Sequence, residues 1–279
     1  MPEIFDVATH FDDIQATDSY TSAPLFMVQT STFMGASPDG SVSQKRIISA
    51  APSIVLPARR ALTTLGENYI IGNGIVDGIY GLPIRRSFWA RLVTDSFIIR
   101  TPGQAALASG GVTAFGHKSH LKDVVDSTAD SSYDPFWEIM FTVGETIAEG
   151  SYFLSGSTYY RARSVHTDEA GFRNAASDEL GPVARVAVVF NQVGAYNPVT
   201  DAYTGSAVNT FGILMDRYKN YDLRTSADAL NHAGDKTLAV AASAITPVVG
   251  HTVTIGSVTY NILASEAEQD GWNLHLRKT

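Results

Sequence analysis

The side chains of this chain best suited to metal chemistry lie in the stretch GHKSHLKD. His117, His120 and Asp123 are spaced so that they would share one face of a helix and could bind one metal ion. Lys118 and Lys122 add positive charge beside them, and no fourth ligand is evident. Since a histidine pair without supporting ligands seldom holds a metal, we predict a surface loop or a helix start and no metal site.

A second group of candidate ligands is acidic. Asp126, Asp130 and Asp134 stand close together and could hold calcium. Their spacing lacks the alternate-position ligands and the central glycine of an EF-hand loop. Asp134 precedes Pro135, a pair typical of turns, so we predict a turn and no calcium site.

An eight-residue phrase occurs three times, each copy with glycine at its second and last positions. The copies are LGENYIIG at 65–72, VGETIAEG at 143–150 and VGHTVTIG at 249–256. A phosphate loop needs lysine after its last glycine, but the following residues here are Asn73, Ser151 and Ser257. The overlapping GNGIVDG lacks the third glycine of a dinucleotide fingerprint, because that position is Asp77. The phrase therefore indicates glycines at strand ends, and its unequal spacing argues against a formal repeat.

Hydrolytic chemistry has few candidate residues. Glu67 and Glu145 could be the paired carboxylates of a glycosidase, but both stand at the same place in the phrase, which favours solvated strand entries. The G-x-S-x-G nucleophile motif is absent, and the chain has no cysteine. We expect no enzyme activity and no cofactor. A hydrolase with a convergent triad stays an alternative, tested by whether His10, His117, His166 or His232 lies beside Ser or Asp in a cleft.

Composition excludes further classes. The chain has 279 residues with 28 acidic and 20 basic side chains, a net charge of −8, which argues against a nonspecific nucleic-acid coat. The first 15 residues carry acids where a signal peptide needs positive charge, and no apolar run is long enough to span a membrane. We expect a protein that folds inside a cell, with no membrane partner.

The strand signals are clearest near the end of the chain. Strands are predicted at 183–190, 207–215 and 236–243, followed by a three-strand meander from 251 whose turns are Gly256-Ser257 and Asp270-Gly271. The predicted fold class is mainly β, with small antiparallel β-barrel or sandwich domains, few short helices and an extended N-terminal arm. We predict three units: an arm at 1–45, a β-rich domain at 46–180 and a small barrel at 181–279.

The best candidate for a functional surface is the basic aromatic run RRSFWARLVTDSFIIR at 85–100. Arginine mixed with aromatics is typical of protein interfaces and of platforms for single-stranded nucleic acid. An aromatic core with a basic exterior is the favoured interpretation, a protein interface comes second and a nucleic-acid platform last. Apolar clusters in the arm and in the loop GAYNPVTDAYT add further candidates. The candidate interface residues are Arg85, Arg86, Trp89, Arg91, Phe26, Phe33 and Tyr196.

Residues 181–279 resemble the small β-barrel connector proteins of tailed bacteriophages. The resemblance is carried by the loop GAYNPVTDAYT, the strand ending GILMDRY, Gly234-Asp235-Lys236 opening a strand, Val249–Thr254 leading to Tyr260, and the closing Leu274-His275-Leu276. His251 stands where the family pattern has Asp. The segment before 181 matches this pattern less clearly.

The resemblance implies a structural virion protein of the phage neck, made in the host cytoplasm. It implies a homo-oligomeric ring, a hexamer or dodecamer, that joins the portal or adaptor protein to the tail-tube or tail terminator protein. Double-stranded DNA would pass through the lumen without sequence-specific binding, and an acidic lumen would let it slide. Arg85, Arg86 and Arg91 on the lumen wall would contradict that expectation.

Other functions share these sequence features. A tail-completion, tail-tube or capsid-decoration protein is the first alternative. A carbohydrate-binding β module is the second, because the twelve tyrosines and three tryptophans could furnish stacking faces.

Overall fold

The computed structural model describes residues 14–36, 42–57, 59–120, 136–181, 184–199, 202–216, 235–248 and 250–279. These residues form three closed antiparallel barrels in tandem along the chain. They contain one short helix. The predicted fold class, mainly β with small antiparallel barrels and few short helices, is confirmed.

The N-terminal barrel consists of β1 (Ile14–Asp18), β2 (Pro24–Ala36), β3 (Val42–Ala50), β4 (Ala61–Thr64), β5 (Glu67–Ile79) and β6 (Leu82–Leu92). The middle barrel consists of β7 (Asp95–Arg100), β8 (Val112–His120), β9 (Phe136–Thr142), β10 (Tyr152–Ser155), β11 (Thr158–Thr167) and β12 (Phe172–Gly181), with helix α1 (Pro102–Leu107) between β7 and β8. The C-terminal barrel consists of β13 (Arg185–Asn197), β14 (Ala202–Asp216), β15 (Lys236–Ala241), β16 (Thr252–Ile255), β17 (Val258–Ala267) and β18 (Gly271–Lys278).

All three barrels have the same strand order. In each, the first three strands form one meander and the last three another, and the meanders join through the third and sixth strands and through the first and fourth. Closure leaves no unpaired strand edge, which removes the usual route to edge-to-edge aggregation. The chain is therefore one fold built three times.

The best-preserved part of the repeat is the hairpin between the fourth and fifth strands. Its turns lie at 65–66, 156–157 and 256–257, and its second strand carries Tyr69, Tyr160 and Tyr260. The same backbone bond closes its base each time: Ile71 N–H to Arg60 O (2.8 Å), Ala162 N–H to Ser151 O (2.9 Å) and Ile262 N–H to His251 O (3.1 Å). These bonds fix the equivalence of the three barrels residue by residue.

The eight-residue phrase proves only partly equivalent. Its first copy begins at the turn of this hairpin, its second lies in the β9–β10 connection, and its third ends at the turn. The glycines do mark strand ends, since Gly66, Gly150 and Gly256 have positive φ there. The prediction that the chain holds no formal repeat is wrong, because connections of different length hide the repeated barrel in the sequence.

The domain boundaries also differ from those predicted. Within the predicted arm 1–45, the described residues supply β1, β2 and the start of β3 to the N-terminal barrel, where Ala16 and Val28 are buried. The predicted domain 46–180 is divided between two barrels. The sequence of this segment has too few regular strand signals to predict a core, but β1, β2 and β3 pair with one another and with β4 and β6 of the barrel.

Each barrel has its own core. Alternation builds it, as in β18, where Leu274 and Leu276 are fully buried and His275 between them is half-buried. The middle barrel is the most aromatic: Phe97 meets Phe141, Phe153 and Tyr160 edge-on, at centroid distances of 5.5, 6.4 and 6.3 Å.

Helix α1 is short but well capped. The Thr101 hydroxyl accepts from the backbone of Gln104, the Gln104 side chain accepts from the Thr101 N–H, and Pro102 occupies the first turn. The helix packs between the middle and C-terminal barrels and buries Ala105 and Ala106 there. Among the described residues, no helix has the length and hydropathy that a membrane span requires.

Candidate assembly interface

The first junction joins the N-terminal and middle barrels through a small apolar cluster. Ile70, Met140 and Phe172 are buried in it, and Trp89 and Phe115 pack against them. The β11–β12 turn reaches across to β5, where the Asn73 N–H donates to the carbonyl of Ala170 at 2.5 Å. Gly72 is required here, because a Cβ atom would lie 2.1 Å from that carbonyl oxygen.

A buried carboxylate also stabilises the first junction. Glu145 has a side chain only 3% exposed, and both its oxygens accept from Arg59, at 2.8 and 3.0 Å. Its Oε1 also accepts from the Tyr20 hydroxyl at 2.9 Å. Tyr20 lies between the guanidinium of Arg59 and the ring of Phe115. The prediction of a solvated strand entry at Glu145 is therefore wrong.

The contribution of the first junction to stability should depend on pH in the alkaline range. Burial is the main cause that raises the pKa of Tyr20 to about 12. The folded state therefore holds this proton more tightly than the unfolded state, so its contribution to stability is complete below pH 10 and is lost as the pH rises toward 12. We expect the loss of stability in this window, measured by urea unfolding, to be smaller in Tyr20→Phe. An identical pH profile for both proteins would contradict this.

The second junction joins the middle and C-terminal barrels. Arg161 of β11 forms an ion pair with Glu268 at 3.1 Å, and burial of Glu268 raises its pKa. Asp270 accepts from the Gly103 N–H at 2.9 Å and from the Thr101 hydroxyl, which attaches the start of α1 to the next barrel. Tyr152 is buried beneath these groups.

The two junctions use equivalent elements. In both, the second strand of the repeated hairpin faces the turn between the fifth and sixth strands of the next barrel. Asp168 and Glu268 open these turns at equivalent places, since each donates its N–H across the turn, to Phe172 O and Gly271 O respectively, at 3.0 Å. The chain thus repeats a contact as well as a fold.

The corresponding turn of the N-terminal barrel is a long ribbon, which we define as residues 73–87 of β5 and β6. Asp77 pairs with Arg85 at its middle, and Ile79 pairs with Leu82 beside the tip. The ribbon exposes five large apolar side chains, Tyr80 almost completely, at 96%. They are Ile75, Val76, Ile79, Tyr80 and Leu82.

The outer part of the ribbon, from 77 to 85, extends beyond the barrel wall, whereas Arg86 and Ser87 still pair with Ala50 and Ser49 of β3. From Tyr69 to Gly72 all residues of β5 are buried, but the five residues from Asn73 to Asp77 are exposed or half-buried on both faces. A two-stranded ribbon without a packed face is marginally stable in water. Contiguous exposed apolar surface on a soluble protein marks an interaction site. The ribbon is therefore the strongest interface candidate among the described residues.

The predicted basic residues lie on and beside this ribbon. Arg85 forms an exposed ion pair with Asp77 at 2.7 Å, and the Arg86 guanidinium lies 5.4 Å from the centroid of the Phe88 ring. Trp89 instead packs into the first junction. Arg91 lines a cavity of about 360 Å³ at that junction, together with Trp89, and burial lowers its pKa.

The remaining predicted interface residues are apart from the ribbon. Phe26 is half-buried and packs against the core of the N-terminal barrel. Phe33 pairs with Lys45 between β2 and β3, and Tyr196 pairs with Tyr203 between β13 and β14. The side chains of Phe33 and Tyr196 lie outside the described part of the structure.

The structure describes only some of the side chains considered above as metal ligands. His117 contacts the carbonyl of Leu92 through Nδ1 at 2.8 Å, burial lowers its pKa, and the His120 ring meets Trp137 edge-on. Within the described ranges, no three His, Asp or Glu side chains group as metal ligands. Asp123, Asp126, Asp130 and Asp134 lie outside those ranges.

The sequence predicted the two arginines of the ribbon, Arg85 and Arg86, but not the apolar side chains at its tip. The signal was present in GIVDGIYGLP, where large apolar residues occupy a glycine-rich turn that is normally polar. Glu145 gave no such signal, because a single glutamate in a loop is usually solvated.

Protein-family models, curated proteins and solved structures all give no match to this chain.

Proposed function

We propose that this chain is a structural virion protein of the phage neck, which assembles with copies of itself into a ring around a DNA channel. The single observation that carries the proposal is the apolar ribbon. Burying its five exposed side chains in a neighbour would be favourable, at about 1.5 to 3 kcal/mol for each fully buried large side chain. The ribbon therefore suits an assembly that buries these side chains better than a monomer that leaves them exposed to water.

The junctions support a role that transmits position and force. Each is held by an apolar cluster and by at least one carboxylate that accepts from the preceding barrel, Glu268 from Arg161 for example. Such contacts fix the angle between barrels more firmly than a flexible linker would. Rigid tandem barrels suit a joint that must keep a channel aligned.

The assignment to the phage neck rests on the resemblance of residues 181–279 to connector barrels. It names the partners: other copies of the chain in a hexamer or dodecamer, a portal or adaptor protein on one side, and a tail-tube or tail terminator protein on the other. Double-stranded DNA would pass without sequence-specific contacts, and the net charge of −8 is consistent with weak attraction to phosphates.

The proposal is tested by the mass of the purified protein in solution, alone and mixed with candidate portal and tail-tube proteins. We expect discrete rings, or a defined complex with portal. The triple variant Ile79→Ser, Tyr80→Ser, Leu82→Ser should be monomeric in both settings, because it removes the apolar tip without touching a core.

A matched control removes three exposed apolar side chains elsewhere: Val55→Ser, Leu107→Ser and Val112→Ser. This variant should assemble like the parent protein. A parent protein that is monomeric alone and ignores both partners would overturn the proposal, as would a ribbon variant that assembles normally.

A further inference from the structure

We propose that the ribbon of one copy docks on the outer face of the C-terminal barrel of the next copy, so that copies associate head to tail. The inference rests on the proposed function, since it assumes that copies assemble, and it names the surface that receives the ribbon. We call that surface the β17 face and define it by Thr252, Thr259, Asn261 and Leu263.

The ribbon is an enlarged form of the turn between the fifth and sixth strands, and the two other turns of this kind show how such a turn binds. Asp77 stands opposite Arg85, as Asp168 stands opposite Phe172 and Glu268 opposite Gly271. The two shorter turns each dock on the preceding barrel. The ribbon is not received in this way by either of the other two described barrels, since it contacts neither through an equivalent strand.

The β17 face is the counterpart of the surfaces that receive those turns. The repeated hairpin bonds place Asn261 at the position of Arg161 in β11 and of Ile70 in β5. Ile70 is fully buried and Arg161 half-buried, because the next barrel covers both, whereas Asn261 is exposed. Leu263, two residues further along, exposes 39% of its surface.

Among the described residues, two surfaces equivalent to the halves of this repeated contact are therefore exposed. The ribbon is the donor half on the N-terminal barrel, and the β17 face is the acceptor half on the C-terminal barrel. A second copy supplies the missing partner for each half, which continues the series of barrel junctions from one chain to the next.

The contact is heterologous, since it joins two different surfaces of the same chain. Repeating such a contact generates a closed ring when the rotation between copies closes, and a filament when it does not. Every copy then has one ribbon bound and one β17 face occupied, and the assembled ring has no free ribbon.

The chain has no cysteine, which permits a clean cross-linking test. We expect Tyr80→Cys mixed with Leu263→Cys to give a disulfide-linked dimer under mild oxidation, and the double variant in one chain to give a ladder of oligomers. Ile79→Cys and Leu82→Cys should replace Tyr80→Cys if the tip is displaced along the strand. The pair Tyr80→Cys and Val55→Cys, two exposed positions, is the control and should not cross-link.

The outcomes separate this inference from the proposed function. A parent protein that never assembles, alone or with portal and tail-tube proteins, refutes both. Rings that form without cross-links between position 263 and any of positions 79, 80 and 82, or with Tyr80–Tyr80 cross-links in the single variant, refute head-to-tail docking alone.

Discussion

Replacement of Arg59 by methionine is expected to lower the free energy of unfolding by about 3 kcal/mol, as for other broken buried ion pairs. Within the described part of the chain, Arg59 is the one base bonded to Glu145, and the Glu145 side chain is 3% exposed. The variant leaves this carboxylate with the Tyr20 hydroxyl and little water. Urea unfolding followed by fluorescence would measure the loss.

A matched control is Arg85→Met, which breaks an ion pair of similar length. The two side chains of the Arg85–Asp77 pair are 49% and 43% exposed, so the loss should stay below about 1 kcal/mol. The double variant Arg59→Met, Glu145→Leu should recover most of the lost stability, because it removes the unpaired charge as well. Equal losses of the free energy of unfolding for Arg59→Met and Arg85→Met would refute the conclusion that the buried Arg59–Glu145 pair stabilises the first junction.

Replacement of Phe97 by alanine is expected to lower the free energy of unfolding by about 3 to 5 kcal/mol. Phe97 is fully buried and its ring meets three other aromatic rings, so the variant loses both burial and edge-on contacts. The middle barrel also forms both junctions, so its unfolding should loosen the outer barrels. Thermal unfolding by calorimetry would show the effect as a lower Tm.

The control for this variant is Val112→Ala, an exposed apolar position in the same barrel. It should change the free energy of unfolding by less than about 0.5 kcal/mol. Phe97→Leu keeps most of the buried volume and should fall between the two. A loss below about 1 kcal/mol for Phe97→Ala would mean that the middle barrel is not held by this aromatic cluster.

Local patterns predicted the strands of the C-terminal barrel well. The tail from 251 was read as a three-strand meander, and β16, β17 and β18 occupy it with turns at 256–257 and 268–270. Period-two alternation and turn dipeptides are local properties, so they can be read from one segment at a time. The same reasoning gave the mainly-β class.

Local strand and turn patterns did not predict the threefold repeat of the barrel. The turns of its hairpins combine Leu65-Gly66 in one copy with Gly156-Ser157 and Gly256-Ser257 in the others, and the connections between strands differ in length. Strand pairing between distant segments defines the repeat, and a single sequence records it only weakly. The arm at 1–45 was predicted for the same reason, since β1 finds its partner β4 far along the chain.

The sequence by itself determined the class of fold, the strand positions near the end of the chain and the basic aromatic run at 85–100. The tertiary structure decided which of these residues face a neighbour. Trp89 and Glu145 became junction residues because another barrel covers them, whereas Tyr80 stays exposed because its strand pair runs beyond the barrel wall. Burial depends on what lies across from a side chain in space, and that information is absent from its neighbours in sequence.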